Sequence, residues 1–219
     1  MVKEDFPLGD KRLVLSLSGR DVECATFGSP ADQVKGVAVI CHPHPLFGGT
    51  MDNKVVHTLW RAFKSAGINA LRFNFRGVGK SEGVHDNGKG EVDDLVEIIN
   101  WLSSTFPEKP IYLAGFSFGA FVAASYAARE HHLPLAHLIL VAPPVHHFNM
   151  EAIQRLDAPV SIIMGEKDEL VPVLKVRDWA DALSVSAPLR QHFLPEATHF
   201  FHGHLGRLKE LVFEDLELG

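Results

Sequence analysis

Residues 110–128 constrain the fold of this chain more than any other stretch. They read Pro-Ile-Tyr-Leu-Ala-Gly-Phe-Ser-Phe-Gly-Ala, then Phe-Val-Ala-Ala-Ser-Tyr-Ala-Ala. An apolar run forms a short strand, a Gly-x-Ser-x-Gly turn follows, and an Ala-rich segment, apolar on most faces, continues as a helix. Gly115 and Gly119 flank Ser117 and let the neighbouring chain come close. A serine at so sharp a turn has its hydroxyl pushed outward, and the helix N-terminus aims unpaired N–H groups at developing negative charge. The pattern alone would also suit a helix cap packed by glycines. Context raises it: strand before, helix after, and suitable partners downstream.

The rest of the chain repeats that alternation. Lys11 to Ser18 and Val22 to Phe27 alternate apolar and polar about a turn at Gly19-Arg20, which reads as an antiparallel edge hairpin. Gly36 to Cys41 is continuously apolar, as in a strand covered on both faces. A stiff loop with two prolines and two glycines, His42 to Thr50, leads to a helix opened by Asn53 and ended by Gly67. Further strands are expected at 69–75, 135–141, 160–164 and 191–194, with helices from about Gly90, from Pro172 and over 205–216. The fold class is therefore α/β: a mostly parallel sheet of about eight strands, an antiparallel N-terminal hairpin at its edge, and helices on both faces. Ligands bind at the carboxyl ends of strands in such sheets. Ser117, His42 and His44, Asp168 and His199 all follow expected strand ends.

A length of 219 residues suits one domain, 1–219. The net charge of −6, without a basic stripe, argues against nucleic acid or an anionic membrane as a partner. Cys24 and Cys41 fall in apolar runs and read as buried thiols rather than a disulfide framework. Met1 to Pro7 lacks the apolar core of a signal peptide, and no run approaches the ~20 apolar residues of a membrane span. A cytoplasmic location is the expectation. Arg76-Gly-Val-Gly-Lys-Ser81 ends like a phosphate-binding loop, but position 74 is Asn where that motif needs glycine, and no helix opens after Ser81. A turn between strand and helix is the better reading.

A serine hydroxyl is a poor nucleophile without a base in hydrogen-bond reach and a carboxylate to orient that base. Further along, Asp168 follows one strand and His199 the next, in the order Ser, Asp, His. With Gly-Phe-Ser-Phe-Gly at 115–119, Gly-Glu-Lys-Asp-Glu-Leu-Val-Pro at 165–172 and Ala-Thr-His-Phe-Phe at 197–201, the chain resembles an α/β-hydrolase over its whole length. The run His-Pro-His-Pro-Leu-Phe-Gly-Gly-Thr-Met at 42–51 is more particular. It resembles small lidless bacterial members, taken as esterases and related to dienelactone hydrolases, although serine rather than cysteine stands at 117.

The resemblance implies Ser117 as nucleophile, His199 as general base then acid, and Asp168 as the orienting acid, with Glu166 the second choice and Asp157 at the wrong strand end. It implies an oxyanion hole of backbone N–H groups, one from Phe118 and one from the loop after the third strand. Pro43 and Pro45 have no N–H, so His44, Leu46 or Phe47 supplies the second; one alignment favours Leu46, another His44, and Leu46 is taken. Only Ala142 to Ala158 joins the strands between which the family inserts its caps, so no cap domain is expected. His44, Phe47, Phe116 and His147 are expected at the substrate pocket. No cofactor and no metal is expected; a zinc site at His199, His202 and His204 lacks cysteine or carboxylate company. The expected partner is a small ester or thioester, with the oligomeric state left open. The alternatives are a peptidase with the same triad and a non-catalytic binding protein on this fold.

Overall fold

The central strands of the sheet are mostly apolar and buried at nearly every position, and their order sets where a ligand can bind. In the computed structural model, which describes residues 6–130 and 133–217, eight strands form one sheet. They are β1 (Gly9–Leu17), β2 (Arg20–Gly28), β3 (Val37–Cys41), β4 (Asn69–Phe73), β5 (Ile111–Phe116), β6 (His137–Val141), β8 (Val160–Gly165) and β10 (Leu189–Leu194). Two-residue strands β7 (Arg155–Leu156) and β9 (Ser184–Val185) pair separately. The helices are α1 (Lys54–Ser65), α2 (Lys89–Thr105), α3 (Phe118–Ala127), α4 (Val173–Ala182) and α5 (Leu205–Glu217).

The spatial order is β1-β2-β4-β3-β5-β6-β8-β10, with β1/β2 and β2/β4 antiparallel and the remaining pairs parallel. The chain leaves β3 toward β4 on one side and returns as β5 on the other. The loops after β3 and β5 thus diverge and leave a crevice at the carboxyl edge.

Local chemistry explains the helices. Asn53 caps α1 by accepting the Val55 N–H at 2.8 Å. Its stripe of Val55, Val56, Leu59 and Phe63 is buried, each side chain contributing about 1.5–3 kcal/mol. That stripe faces the sheet, and α1 also packs against α5. α3 is apolar nearly all round because it is enclosed by β5, β6 and α2. α2 opens on a one-way cap, with the Glu91 carboxylate reaching back to accept the Gly88 and Asp86 N–H groups at 2.8 and 2.9 Å.

Elements over which periodicity runs long agree with the sequence reading to within a few residues. The short pair β7/β9 was not expected, because two residues carry no periodic signal. Between β6 and β8 lie only a 3-10 turn, Met150–Ala152, and β7, so no cap domain covers the carboxyl edge. Cys24 and Cys41 are both buried. Among the described residues no helix is long and apolar enough to cross a membrane. Met1 to Asp5, most of the stretch read for a leader, lie outside the described residues.

Candidate active site

Ser117 follows β5 with φ 54° and ψ −119°, a conformation that costs a non-glycine residue about 1–3 kcal/mol. Its surroundings hold it there. The Ser117 N–H donates to the Val141 carbonyl at 2.8 Å, and its own carbonyl accepts the Ala120 N–H at 2.8 Å. A β-carbon on Gly115 would stand 2.1 Å from the Gly119 carbonyl oxygen, and one on Gly119 would stand 2.3 Å from the Cys41 carbonyl oxygen. Only glycines allow the turn, α3 and the end of β3 to approach this closely.

Asp168 and His199 arrive on the loops after β8 and β10, and those loops are tied together. The Glu166 N–H donates to Leu194 and the Lys167 N–H to Ala197, extending the parallel ladder past the strand ends. His199 Nδ1 lies 2.7 Å from Asp168 Oδ2, and His199 Nε2 lies 3.1 Å from Ser117 Oγ. Asp168 Oδ1 accepts the Leu170 and Val171 N–H groups at 2.8 and 2.7 Å. The His199 N–H donates to the Glu169 carboxylate at 3.1 Å. With Oδ2 on its Nδ1–H, the imidazole presents a bare Nε2 to the hydroxyl, the tautomer a general base needs.

Glu166, the other carboxylate near the site in sequence, is otherwise engaged: it pairs with Arg177 at 2.5 Å. In the turn after β4, the Glu23 carboxylate takes the Lys80 N–H at 2.9 Å, and the Ser81 hydroxyl donates to the Asn74 carbonyl at 2.7 Å. A phosphate would find these groups already used.

Two sequence assignments are corrected. Leu46 was taken as the loop donor of an oxyanion hole, but its N–H donates to His44 Nδ1 at 3.2 Å inside a 3-10 turn. The His44 and Phe118 N–H groups make no hydrogen bond within the described residues. Proline at 45 starts the turn, and the turn itself consumes the Leu46 donor. Phe116 was expected in the pocket, but it is fully buried, its ring 5.1 Å from that of His199. As the last residue of β5 it supports the imidazole from within the core.

A cavity of about 340 Å³ opens at Ser117, lined by His44, Phe47, Phe118, His147, Phe148 and Leu170, with His199 at its floor. His44, Phe47 and His147, the residues expected at the substrate pocket, are among those that line this cavity. Phe148, Leu170, Pro144 and Val171 also line it and were missed, because loop residues carry no periodicity. Behind His44, whose ring is 4.9 Å from that of His85, the buried Glu91 carboxylate lies 2.8 Å from His85 Nδ1. Desolvation, reinforced by His85, lowers the His44 pKa, so the cavity wall there is neutral. The Asp86-Asn-Gly-Lys-Gly-Glu91 spacing of a helix cap was the available signal for Glu91. His42, next to this wall, is structural: Nε2 accepts the Phe75 N–H at 2.9 Å and Nδ1 donates to the Pro43 carbonyl at 2.6 Å.

A second serine, histidine and aspartate also meet. Ser161 Oγ lies 2.8 Å from His137 Nε2 and donates to Asp215 at 2.5 Å. Here the hydroxyl sits between acid and imidazole, so its proton goes to the carboxylate and the histidine has no orienting acid of its own. All three are buried beside β8 and α5, out of reach of a substrate. This network anchors α5 to the sheet and is no candidate for nucleophilic chemistry.

The model of the family described as serine aminopeptidase, S33, matches residues 32–152, more than half of the chain and including Ser117 but neither Asp168 nor His199. An α/β serine hydrolase homologue from Coxiella burnetii superposes with a TM-score of 0.88 at 38% identity, over 97% of this chain and 100% of that one. A Xanthomonas campestris α/β serine hydrolase without a lid superposes with a TM-score of 0.84 at 34% identity, over 98% and 96% of the two chains. An uncharacterized Rickettsia prowazekii protein is 37% identical over 152 residues, 68% of this chain and 63% of its own length. The chain spans about half the length of several other curated relatives it matches, and about a quarter of two more.

Proposed function

Since the chain belongs to the serine aminopeptidase (S33) family of α/β serine hydrolases, we propose that it cleaves small carboxylic esters or thioesters through Ser117. His199 Nε2 takes the Oγ proton as Oγ attacks the carbonyl carbon. Asp168 holds the imidazole in the required tautomer and offsets its positive charge. The oxygen that becomes negative is received by the Phe118 and His44 N–H groups, each such donor being worth about 3 kcal/mol of barrier. The protonated imidazole hands its proton to the leaving oxygen or sulfur, and a water activated by the same base releases the acyl group.

The observation that carries this over an aminopeptidase reading is the cavity wall. An α-ammonium group needs a carboxylate, and the wall holds none among the described residues; Asp168 is spent on His199 and two amides. Aromatic rings, aliphatic chains and imidazoles suit an uncharged ester instead. The test pairs p-nitrophenyl butyrate with an aminoacyl p-nitroanilide. Ester cleavage that disappears in Ser117→Ala, with the anilide untouched, is the expected result. Preference for the anilide would overturn the ester assignment, and undiminished turnover in Ser117→Ala would overturn the nucleophile.

A further inference from the structure

A chain of this size rarely leaves large apolar side chains fully in water near one another. Here Phe47 is 87% exposed, Leu46 71% and Leu174 73%, and Leu170 and Phe200 are exposed as well. Leu46 and Phe47 come from the loop after β3, Leu170 from the loop after β8, Leu174 from the first turn of α4 that follows it, and Phe200 from the loop after β10, and Phe47 and Leu170 line the same cavity as Ser117. The apolar rim is therefore continuous with the reaction site.

The rim has two halves. Leu170 is tied to Asp168 through its N–H, and the Phe200 ring is 5.1 Å from that of His199, so both lie beside the proton donor. Phe47 lies on the other half, its ring 4.9 Å from that of His44, with Phe148 5.6 Å from the same imidazole. On attack, the Ser117 Oγ–carbon bond forms and the carbon–oxygen bond to the alcohol breaks. The proton travels from Oγ through Nε2 to the departing oxygen, which must lie beside His199. With the oxyanion on the Phe118 and His44 amides, the acyl chain is left to point away from His199.

We propose that the rim sorts the two ends of the ester: the aromatic half at Phe47 and Phe148 takes the acyl chain, and the Leu170 and Phe200 half takes an apolar alcohol. The substrate class is then an ester apolar at both ends and longer than the cavity. This rests on Ser117 acting as proposed above. Continuity with the cavity favours a single substrate molecule over a second copy of the chain, and Glu169, next to Leu170 in the chain, with a net charge of −6, disfavours an anionic bilayer.

Two ester series test it. In one the alcohol is p-nitrophenol and the acyl chain lengthens from acetate to octanoate; in the other the acyl group is butyrate and the alcohol lengthens from methanol to hexanol. A half-covered methylene raises kcat/KM about twofold, against about fourfold for full burial. Phe47→Ala should flatten the acyl series and leave the slope of the alcohol series, and Leu170→Ala should do the reverse. Both side chains are exposed, so neither change threatens folding. Variants that flatten both series alike, or neither, overturn the sorting while ester hydrolysis stands. Concentration-dependent self-association abolished by Phe47→Ala, with both slopes unmoved, assigns the rim to a second copy and overturns it too. Failure of every ester while a fluorophosphonate still labels Ser117 overturns the ester reading itself, and the sorting with it.

Discussion

Asp168 meets His199 with one carboxylate oxygen, at 2.7 Å, while its other oxygen is held by the Leu170 and Val171 amides. The acid cannot turn away from the imidazole without breaking two further hydrogen bonds. Asp168→Asn keeps the volume and one accepting oxygen but loses the charge and the preference for the Nδ1–H tautomer. A fall in kcat of about 10³–10⁴ is expected, with the thermal unfolding midpoint little changed. Steady-state kinetics on p-nitrophenyl butyrate would show it; a loss under tenfold would mean that Asp168 does not orient the base.

The loop after β3 separates the two candidates for the second oxyanion donor. His44 has φ −55°, which a proline ring accepts, so His44→Pro removes the N–H without demanding a new backbone path. His44→Ala keeps the N–H and serves as its control. The proline variant should lose about 10²–10³ in kcat relative to the alanine variant. Equal activities of the two would return the role to another amide of the loop.

Gly119 is the point at which α3 touches the end of β3. A methyl group there would meet the Cys41 backbone at 2.3 Å, and neither segment can yield without displacing the strained serine. Gly119→Ala should cost about 1–3 kcal/mol in denaturant unfolding and also abolish fluorophosphonate labelling of Ser117. Full labelling in a stable variant would show that the contact does not govern the turn.

Stability should fall in mild acid for a reason apart from the reaction. Burial lowers the pKa of His42 and of His137 to about 4, from about 6.5 in an unfolded chain. Between those values the unfolded chain binds protons that the folded chain refuses, so stability drops as pH goes from 6.5 toward 4. The slope is about 1.4 kcal/mol per pH unit for each imidazole. Urea unfolding at pH 7, 6 and 5 measures it, and His137→Gln should make the dependence shallower. A flat profile in the unsubstituted protein would contradict buried neutral imidazoles at these two positions.

Much of this was legible in the residues. The strand, turn and helix around Ser117 were readable because periodicity changes from continuous apolar to helical at two glycines. Asp168 and His199 were readable as partners because each follows a strand in an alternating α/β chain, and strand ends in a parallel sheet share one edge. Leu46, Phe116, Glu91 and the Ser161 network were not readable in the same way. A backbone N–H is identical in every non-proline residue, so only the 3-10 turn revealed that the Leu46 donor was used. Whether Phe116 points into a cavity or into the core depends on which face of β5 its register selects.

The chain by itself therefore determined the fold class and the three side chains that meet, since both follow from pattern along the backbone and from chain order. Tertiary structure alone decided which amides remain unpaired, which of two serine, histidine and aspartate groups faces solvent, and which loops bring their apolar side chains to the rim. Those are properties of neighbours far apart in sequence, and solvent exposure and hydrogen-bond direction exist only once such neighbours are in place.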